Sequence, residues 1–480
     1  MGSAGYTPQE PVAAIATALS PSAIGIVRTS GRGSVALVSK IFSRPEALLG
    51  AAGNTLVHGW IVVRGADGKI ASRIDEVMLG VYREPASFTG EEMVEIFCHG
   101  GIAVVRSVLA LLLRSGFRQA ERGEFTFRAY INGKTDLTRA EAVREIIESK
   151  TDISRGKAAG RLAGNLCRRI DSAKKDLTRL LASIEVAVEY PEDEETIANS
   201  FDLGALKDVL GGLEDLLAGW RSERLYQEGA KIVLAGRTNA GKSSLFNALL
   251  KEDRSIVSDN EGTTRDYLEN LASLDGIPVR LFDTAGLRET DDPVEEEGVS
   301  RARVLAGEAD LLLYLVDSTA GLREDDREFL SAPGLPPAIL VWNKCDKEGS
   351  LPLPSPGGPG GGRWALAVSV SARTGQGMDG LTAGARNLLA GGSGPGAPGP
   401  KDLGSCSTEA ALGSERQRSA CADAAGHLSH AARVAETGEL GLDAVVQDIE
   451  DAIASLGEIT GEVTGDDVLE SIFSNFCVGK

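Results

Sequence analysis

The segment Gly236-Arg-Thr-Asn-Ala-Gly241-Lys242-Ser243 sets two glycines, a lysine and a hydroxyl in the order G-x-x-x-x-G-K-S. Glycines let a backbone curl until successive N–H groups converge on phosphate oxygens, and a helix starting there adds partial positive charge. Lys242 is then expected to bridge β- and γ-phosphates, and the Ser243 hydroxyl to hold Mg²⁺. The apolar run Lys231 to Ala235 before the loop reads as a buried strand, and Ser244 to Leu250 after it as a helix, which is the setting this chemistry requires.

Two further segments serve the same site. The strand Val279 to Phe282 ends in Asp283-Thr284-Ala285-Gly286, which puts a carboxylate near the metal and a glycine N–H where a γ-phosphate would sit. Between loop and strand lies Gly262-Thr263-Thr264-Arg265-Asp266, whose hydroxyls can complete a magnesium shell only while a γ-phosphate is present, the logic of an ordering switch.

Base choice follows from the next motifs. A strand over Ala338 to Trp342 leads to Asn343-Lys344-Cys345-Asp346, and Trp364 to Val368 leads to Ser369-Val370-Ser371-Ala372-Arg373. Asp346 can accept two hydrogen bonds from the N1–H and N2–H₂ edge of guanine, whereas adenine would leave it unpaired. Lys344 would cover the base, Asn343 would tie the two loops together, and the Ala372 N–H would reach guanine O6. The residues expected around GTP are therefore Asn239, Ala240, Gly241, Lys242, Ser243, Ser244, Asp283, Thr284, Ala285, Gly286, Asn343, Lys344, Asp346, Ser371, Ala372 and Arg373. Where Ras-type enzymes carry a water-positioning glutamine, this chain has Leu287. Acidic candidates for that work lie downstream in Glu289 and in the run Asp291 to Glu297.

These motifs need an α/β scaffold, and strands alternate with helices after Lys231, as in a parallel sheet with crossover helices. Before it, residues 11 to 120 alternate short β-branched runs (Ala23 to Arg28, Thr55 to Val63, Glu76 to Tyr82, Met93 to Cys98) with turn residues, then an apolar helical stretch from Ala103 to Leu113. This predicts a small α+β domain. Helical stripes follow over Leu177 to Val188 and Leu206 to Trp220, and again over Leu442 to Ile459 and Val468 to Phe476. Helices on both sides of the α/β part predict a GTPase domain inserted into a helical one. Gly/Pro-rich stretches at Pro352 to Gly362 and Gly391 to Pro400 read as loops or linkers. The expected division is 1–134, 135–228, 229–390 and 391–480.

Composition narrows the partners. With 50 Lys and Arg against 69 Asp and Glu, the formal charge is −19, so tight binding of naked nucleic acid by this chain alone is disfavoured. The six cysteines, among them Cys98, Cys345 and Cys477, show no metal-type spacing. No basic leader precedes Arg28, and the longest apolar run, Leu311 to Val316, is far short of a membrane span. A cytoplasmic location is expected.

Several segments resemble one family, the tRNA-uridine-modifying GTPases of the MnmE (TrmE) type. They are Glu84-Pro-Ala-Ser-Phe-Thr-Gly-Glu, Cys98-His-Gly-Gly, Arg122-Gly-Glu-Phe-Thr-Phe-Arg-Ala, Asn132-Gly-Lys-Thr-Asp-Leu, Leu456-Gly-Glu-Ile-Thr-Gly-Glu-Val-Thr-Gly-Asp-Asp and Phe476-Cys-Val-Gly-Lys480. The resemblance implies an N-terminal folate-binding domain that also dimerises, a helical domain and an inserted P-loop GTPase domain with a mostly parallel sheet. It implies a homodimer that forms a heterotetramer with an FAD-dependent partner and adds a carboxymethylaminomethyl or aminomethyl group to C5 of the wobble uridine of certain tRNAs. The tRNA would be bound mainly through the partner. A tetrahydrofolate derivative, 5-formyl- or methylene-tetrahydrofolate, would be the one-carbon donor, contacted by Arg28, Glu95 and Lys134, with Cys477 nearby. It implies potassium-activated hydrolysis, with Asn239, Ser258, Asn260 and Thr263 around the ion, Thr264 on magnesium and Glu295 as the catalytic acidic residue, acting through a bridging water. The chain departs from the family pattern at Pro21-Ser-Ala-Ile and at Asn260-Glu261 in the potassium loop.

Two other readings share the nucleotide motifs. A ribosome-assembly GTPase should carry an RNA-binding module, and no basic G-x-x-G loop or aromatic RNP pattern stands outside the GTPase segment. A GTP-switched scaffold without part in the chemistry would show no saturable folate binding.

Overall fold

A computed structural model describes residues 10–189, 202–252, 269–283, 305–354, 364–389, 410–437 and 442–479. By its contacts the chain divides into two compact units, Met1–Arg144 together with Glu450–Lys480, and Glu145–Ile449.

In the first unit, six strands form one sheet in the order β3-β4-β5-β2-β1-β6. They are β1 (Val12–Ile15), β2 (Ser22–Ser30), β3 (Thr55–Arg64), β4 (Ile70–Tyr82), β5 (Met93–Gly100) and β6 (Arg118–Gln119). All neighbours are antiparallel except β1 and β6. Alternation along β2 and β5 sends Val27, Val94, Ile96 and Cys98 into a core closed by Val105, Val108 and Leu112 of the helix Ile102–Arg114. The same alternation sets Arg28 and Glu95 directly opposite each other across β2 and β5.

The final segment, expected from the sequence within the stretch 391–480, has its last residues in this unit. Phe473 of the helix Asp466–Ser474 meets Phe127 of the helix Glu124–Ile131 edge to face, ring centroids 5.3 Å apart. Tyr130 donates to the Gly461 carbonyl at 2.5 Å, and Val478 bridges to Arg122. Gly479 makes the close approach possible: its φ is +92°, and a Cβ there would sit 2.4 Å from the Ile15 carbonyl oxygen.

In the second unit, the helices Asn165–Glu189, Leu203–Glu228 and Glu415–Thr437 pack side by side, the middle one against both others. The same unit holds the second sheet, ordered β12-β11-β10-β7-β9-β8. Its strands are β7 (Ala230–Gly236), β8 (Glu269–Leu274), β9 (Ile277–Asp283), β10 (Leu311–Asp317), β11 (Ala338–Asn343) and β12 (Leu366–Ser369). Every pairing is parallel except β8 with β9. The central strands β10 and β11 are buried on both faces, which is why β10 reads as a continuous apolar run. One face packs Leu245 and Leu249 of the helix Lys242–Glu252 and Leu381 of Met378–Leu389. The other packs Phe329 and Leu330 of the helix Glu324–Ser331. Carboxyl ends of β7, β9, β10 and β11 thus lie along one edge, where ligands of such sheets bind.

Candidate functional site

The loop after β7 runs directly into the helix beginning at Lys242, so the glycine-rich segment caps that helix at its positive end. Asn239 takes a left-handed φ of +63°, and Gly241 has a φ of +98°. Lys242 Nζ reaches back to donate to the Gly236 and Arg237 carbonyls at 2.8 and 2.9 Å, curling over the loop it closes. The parallel pairing of β7 with β9 brings Asp283 to the same edge, where its Oδ2 accepts from Ser243 Oγ at 3.2 Å. A hydroxyl and a carboxylate at that distance are the hard oxygen donors that Mg²⁺ prefers, so the donor set fits a magnesium polyphosphate.

Asn343, only 1% exposed, is the hub of the next layer. Its Nδ2 donates to the Ala240 carbonyl at 2.8 Å, and its Oδ1 accepts from the Ala372 N–H at 3.2 Å. One side chain therefore joins the phosphate loop to the loop after β12. The Ala372 N–H, expected to reach a base oxygen, is here directed at Asn343. Lys344, at φ +66°, donates from Nζ to the Asn239 carbonyl and to Asp317 Oδ2, both at 2.6 Å. Asp346 is exposed at the pocket rim. A hydrogen bond from the Ser371 hydroxyl, helped by the charge of Arg373, holds its carboxyl below the ordinary carboxylate value, so it is an acceptor at neutral pH. Ser371 itself is buried, with its N–H on the Gln376 carbonyl.

Of the expected residues, Asn239, Ala240, Gly241, Lys344, Asp346, Ser371, Ala372 and Arg373 stand on loops along this edge of the sheet, Lys242, Ser243 and Ser244 in the first helical turn after the phosphate loop, and Asp283 and Asn343 at the ends of β9 and β11. Thr284, Ala285, Gly286, Ser258, Asn260, Thr263, Thr264 and Glu295 lie outside the described residues. Asp317 was not anticipated. Its signal is an acidic residue ending an apolar strand in register with Asn343, legible only once β10 and β11 are known to be neighbours.

A second polar cluster occupies the first unit. Arg28 Nε donates to Glu95 Oε1 at 2.8 Å, its Nη2 lies 2.7 Å from the same oxygen, and its Nη1 donates to the Gly479 carbonyl at 3.2 Å. Tyr82 donates to Glu95 Oε2 at 3.2 Å, and burial together with the Glu95 charge raises its phenol above the usual value. The guanidinium lies between the rings of Phe88 and Phe125, 5.6 and 5.7 Å from their centroids. Lys134 Nζ donates to the Pro85 carbonyl at 3.0 Å, and Asn132 Nδ2 to the Thr89 carbonyl at 2.8 Å, which fastens the Pro85 to Gly90 loop beside the pair. Cys477 is exposed, two residues before the carbonyl on Arg28. Arg28 carries five N–H donors and uses three here, so cation, carboxylate, phenol and aromatic rings together fit a heteroaromatic ligand with an acidic tail. The family resemblance points to Arg28, Glu95 and Lys134 but not to Tyr82, Phe88 or the Gly479 carbonyl.

Comparison with known proteins bears on both clusters. The family model for the MnmE helical domain matches residues 137–477, and that for the GTP-binding protein TrmE N-terminus matches residues 11–134. The tRNA modification GTPase MnmE of Treponema denticola is 48% identical over 488 residues, covering 99% of both chains. The chain belongs to the MnmE family of tRNA modification GTPases. Its MnmE relative in Treponema pallidum is 42% identical over 508 residues, with 99% of each chain covered, and that of Symbiobacterium thermophilum is 41% identical over 476 residues, covering 98% of this chain and all of the other. Family membership and the sheet topology together give an N-terminal TrmE domain, a helical domain and a P-loop GTPase fold. Among the described residues no helix is long and apolar enough to cross a membrane.

Proposed function

We propose that this chain hydrolyses GTP in the course of modifying the wobble uridine of certain tRNAs. The observation that carries the nucleotide half is the Asn343 side chain, which bonds the phosphate loop through Ala240 and the base-side loop through Ala372. A polyphosphate cradle and a carboxylate for the guanine edge are thereby held as one pocket. The relatives' role as tRNA modification GTPases supports the other half.

In this reading Lys242 and the loop amides hold the phosphates, and Ser243 and Thr264 hold magnesium, with Asp283 beside it. Bound there, magnesium would supply positive charge to the phosphoryl oxygens. Asp346 selects guanine and Lys344 covers its face. Glu295 serves hydrolysis through water, and Asn239 with Ser258, Asn260 and Thr263 would hold a potassium ion, which would supply the positive charge that other GTPases take from an arginine. In the first unit Arg28, Glu95 and Lys134 hold a tetrahydrofolate derivative, Tyr82 fixes the Glu95 carboxylate, and Cys477 stands near. Homodimers work in the cytoplasm with an FAD-dependent partner, which brings most of the tRNA-binding surface, in keeping with the charge of −19 on this chain.

Mass analysis of tRNA nucleosides from cells with and without the protein tests the whole reading. Loss of the C5-aminomethyl-type uridines without the protein is expected, and an unchanged nucleoside profile would refute it. For the ion, hydrolysis in potassium should exceed that in sodium severalfold, and equal rates would remove potassium from the mechanism.

A further inference from the structure

Asp317 ends β10 directly opposite Asn343, and Ser318 N–H donates to the Asn343 carbonyl at 2.9 Å, which seats the strand end beside the base loop. One carboxylate oxygen of Asp317 accepts from both the N–H and the hydroxyl of Thr319, at 3.0 and 2.8 Å. Its orientation is therefore set locally. The other oxygen accepts from Lys344 Nζ at 2.6 Å. The same ammonium donates to the Asn239 carbonyl at 2.6 Å, at the residue whose left-handed φ of +63° turns the phosphate loop. A lysine stem has four flexible bonds and would otherwise sample many rotamers.

We propose that Asp317 is the positioning residue of the base loop, pinning the Lys344 ammonium so that the lysine stem lies ready to cover guanine and the phosphate loop keeps its turn at Asn239. The inference rests on the reading of this pocket as a guanine nucleotide site. An ordinary partly exposed ion pair contributes little to folding stability, and this one links the three loops that border the proposed nucleotide pocket. Its effect belongs to preorganisation: the free pocket already has the shape the nucleotide needs, so less ordering is required on binding. Because GDP and GTP share the base and the loop, both should feel the loss alike.

The experiment is a double-mutant cycle in the full chain, reading affinity for fluorescent GDP and GTP analogues in magnesium buffer. Asp317→Ala should weaken both nucleotides by about tenfold, the scale of a hydrogen bond to a charged group. In the Lys344→Ala background, Asp317→Ala should then change nothing further, because the group it acts through is gone. Asp317→Asn keeps an acceptor oxygen without the charge and should fall between, and it replaces the alanine variant in the cycle if that one does not fold. Wild-type affinity in the single variants, or full additivity in the cycle, would overturn the proposal. If the unmodified chain retains no GDP at all, the nucleotide reading itself fails, an outcome distinct from normal wild-type binding with indifferent variants.

Discussion

In the proposed reading a single carboxylate selects the base, and Asp346 has the properties for it. It is exposed at the rim, and the Ser371 hydroxyl keeps it ionised. Asp346→Asn exchanges one acceptor for a donor, which opposes guanine N2–H₂ and suits the carbonyl of xanthine. GTP affinity should fall on the order of a hundredfold while xanthosine triphosphate gains, since mismatched polar groups discriminate strongly. Competition binding with the two nucleotides checks this, and an unchanged preference for GTP would sink the assignment. This much was readable from spacing, because Asn343, Lys344 and Asp346 follow one another in the chain. Asp317 and Tyr82 were not readable, because each acquires its role from a neighbour on an adjacent strand, and no linear pattern records which strands are adjacent.

At the scale of elements, the phosphate loop depends on what can fit between it and β11. Gly241 has φ +98°, and a Cβ there would lie 2.2 Å from Asn343 Nδ2. Gly241→Ala must strain the turn and displace the hub at once, a cost of about 1–3 kcal/mol for the backbone alone. GDP affinity should drop at least tenfold with the global fold retained, as titration alongside circular dichroism would show. The helix Glu124–Ile131 carries a second device. Arg128, fully buried, pairs with Glu91 and Glu124 at 2.8 Å, and Arg118 pairs with Glu124 and with Glu10. Burial alone would raise the Glu124 pKa, but the bonds from Arg118, the Glu121 N–H and Arg128 outweigh it and lower the value below 4.5. A depressed pKa contributes stability that is full above the unfolded value and lost as pH falls through the folded one. Glu124→Gln should therefore destabilise by about 3–5 kcal/mol at neutral pH, the cost of a broken buried pair. The gap to wild type should narrow as pH drops below about 4. Urea unfolding across that range measures it, and a constant gap would mean the carboxylate charge is irrelevant. The sequence marked most strand runs and the helix Ala103 to Leu113 within a few residues, since periodicity is local, but it caught β4 only from Glu76, and the helices Asn165–Glu189 and Leu203–Glu228 only over Leu177 to Val188 and Leu206 to Trp220. It did not mark β1, β6 or β8: β6 is two residues long, and β8 is defined only by its pairing with β9.

On the scale of the whole chain, residues 450–480 belong with the N-terminal unit, although 305 positions of the other unit, Glu145–Ile449, separate them from it. The alternation of helix and α/β patterns suggested an insertion, but where the last helices pack depends on Phe127, Phe473 and Phe476 meeting, a long-range fact. Two helices, Leu137–Glu148 and Leu442–Thr460, each run through a boundary between the units, so it is a physical question whether the units melt together. The proposed ligands answer it, because a ligand stabilises only the cooperative unit that binds it. GDP with magnesium belongs to the second unit, and 5-formyltetrahydrofolate to the first. At a hundredfold excess over Kd each should add about 2.7 kcal/mol to its own unit, or roughly 5–10 °C in the corresponding Tm. Calorimetry should then show two transitions, one moved by each ligand and indifferent to the other. A single transition shifted by both would mean that the two through-running helices couple the units into one. In that case removal of Gly479, whose carbonyl sits on Arg28, should abolish the folate shift and spare the nucleotide shift.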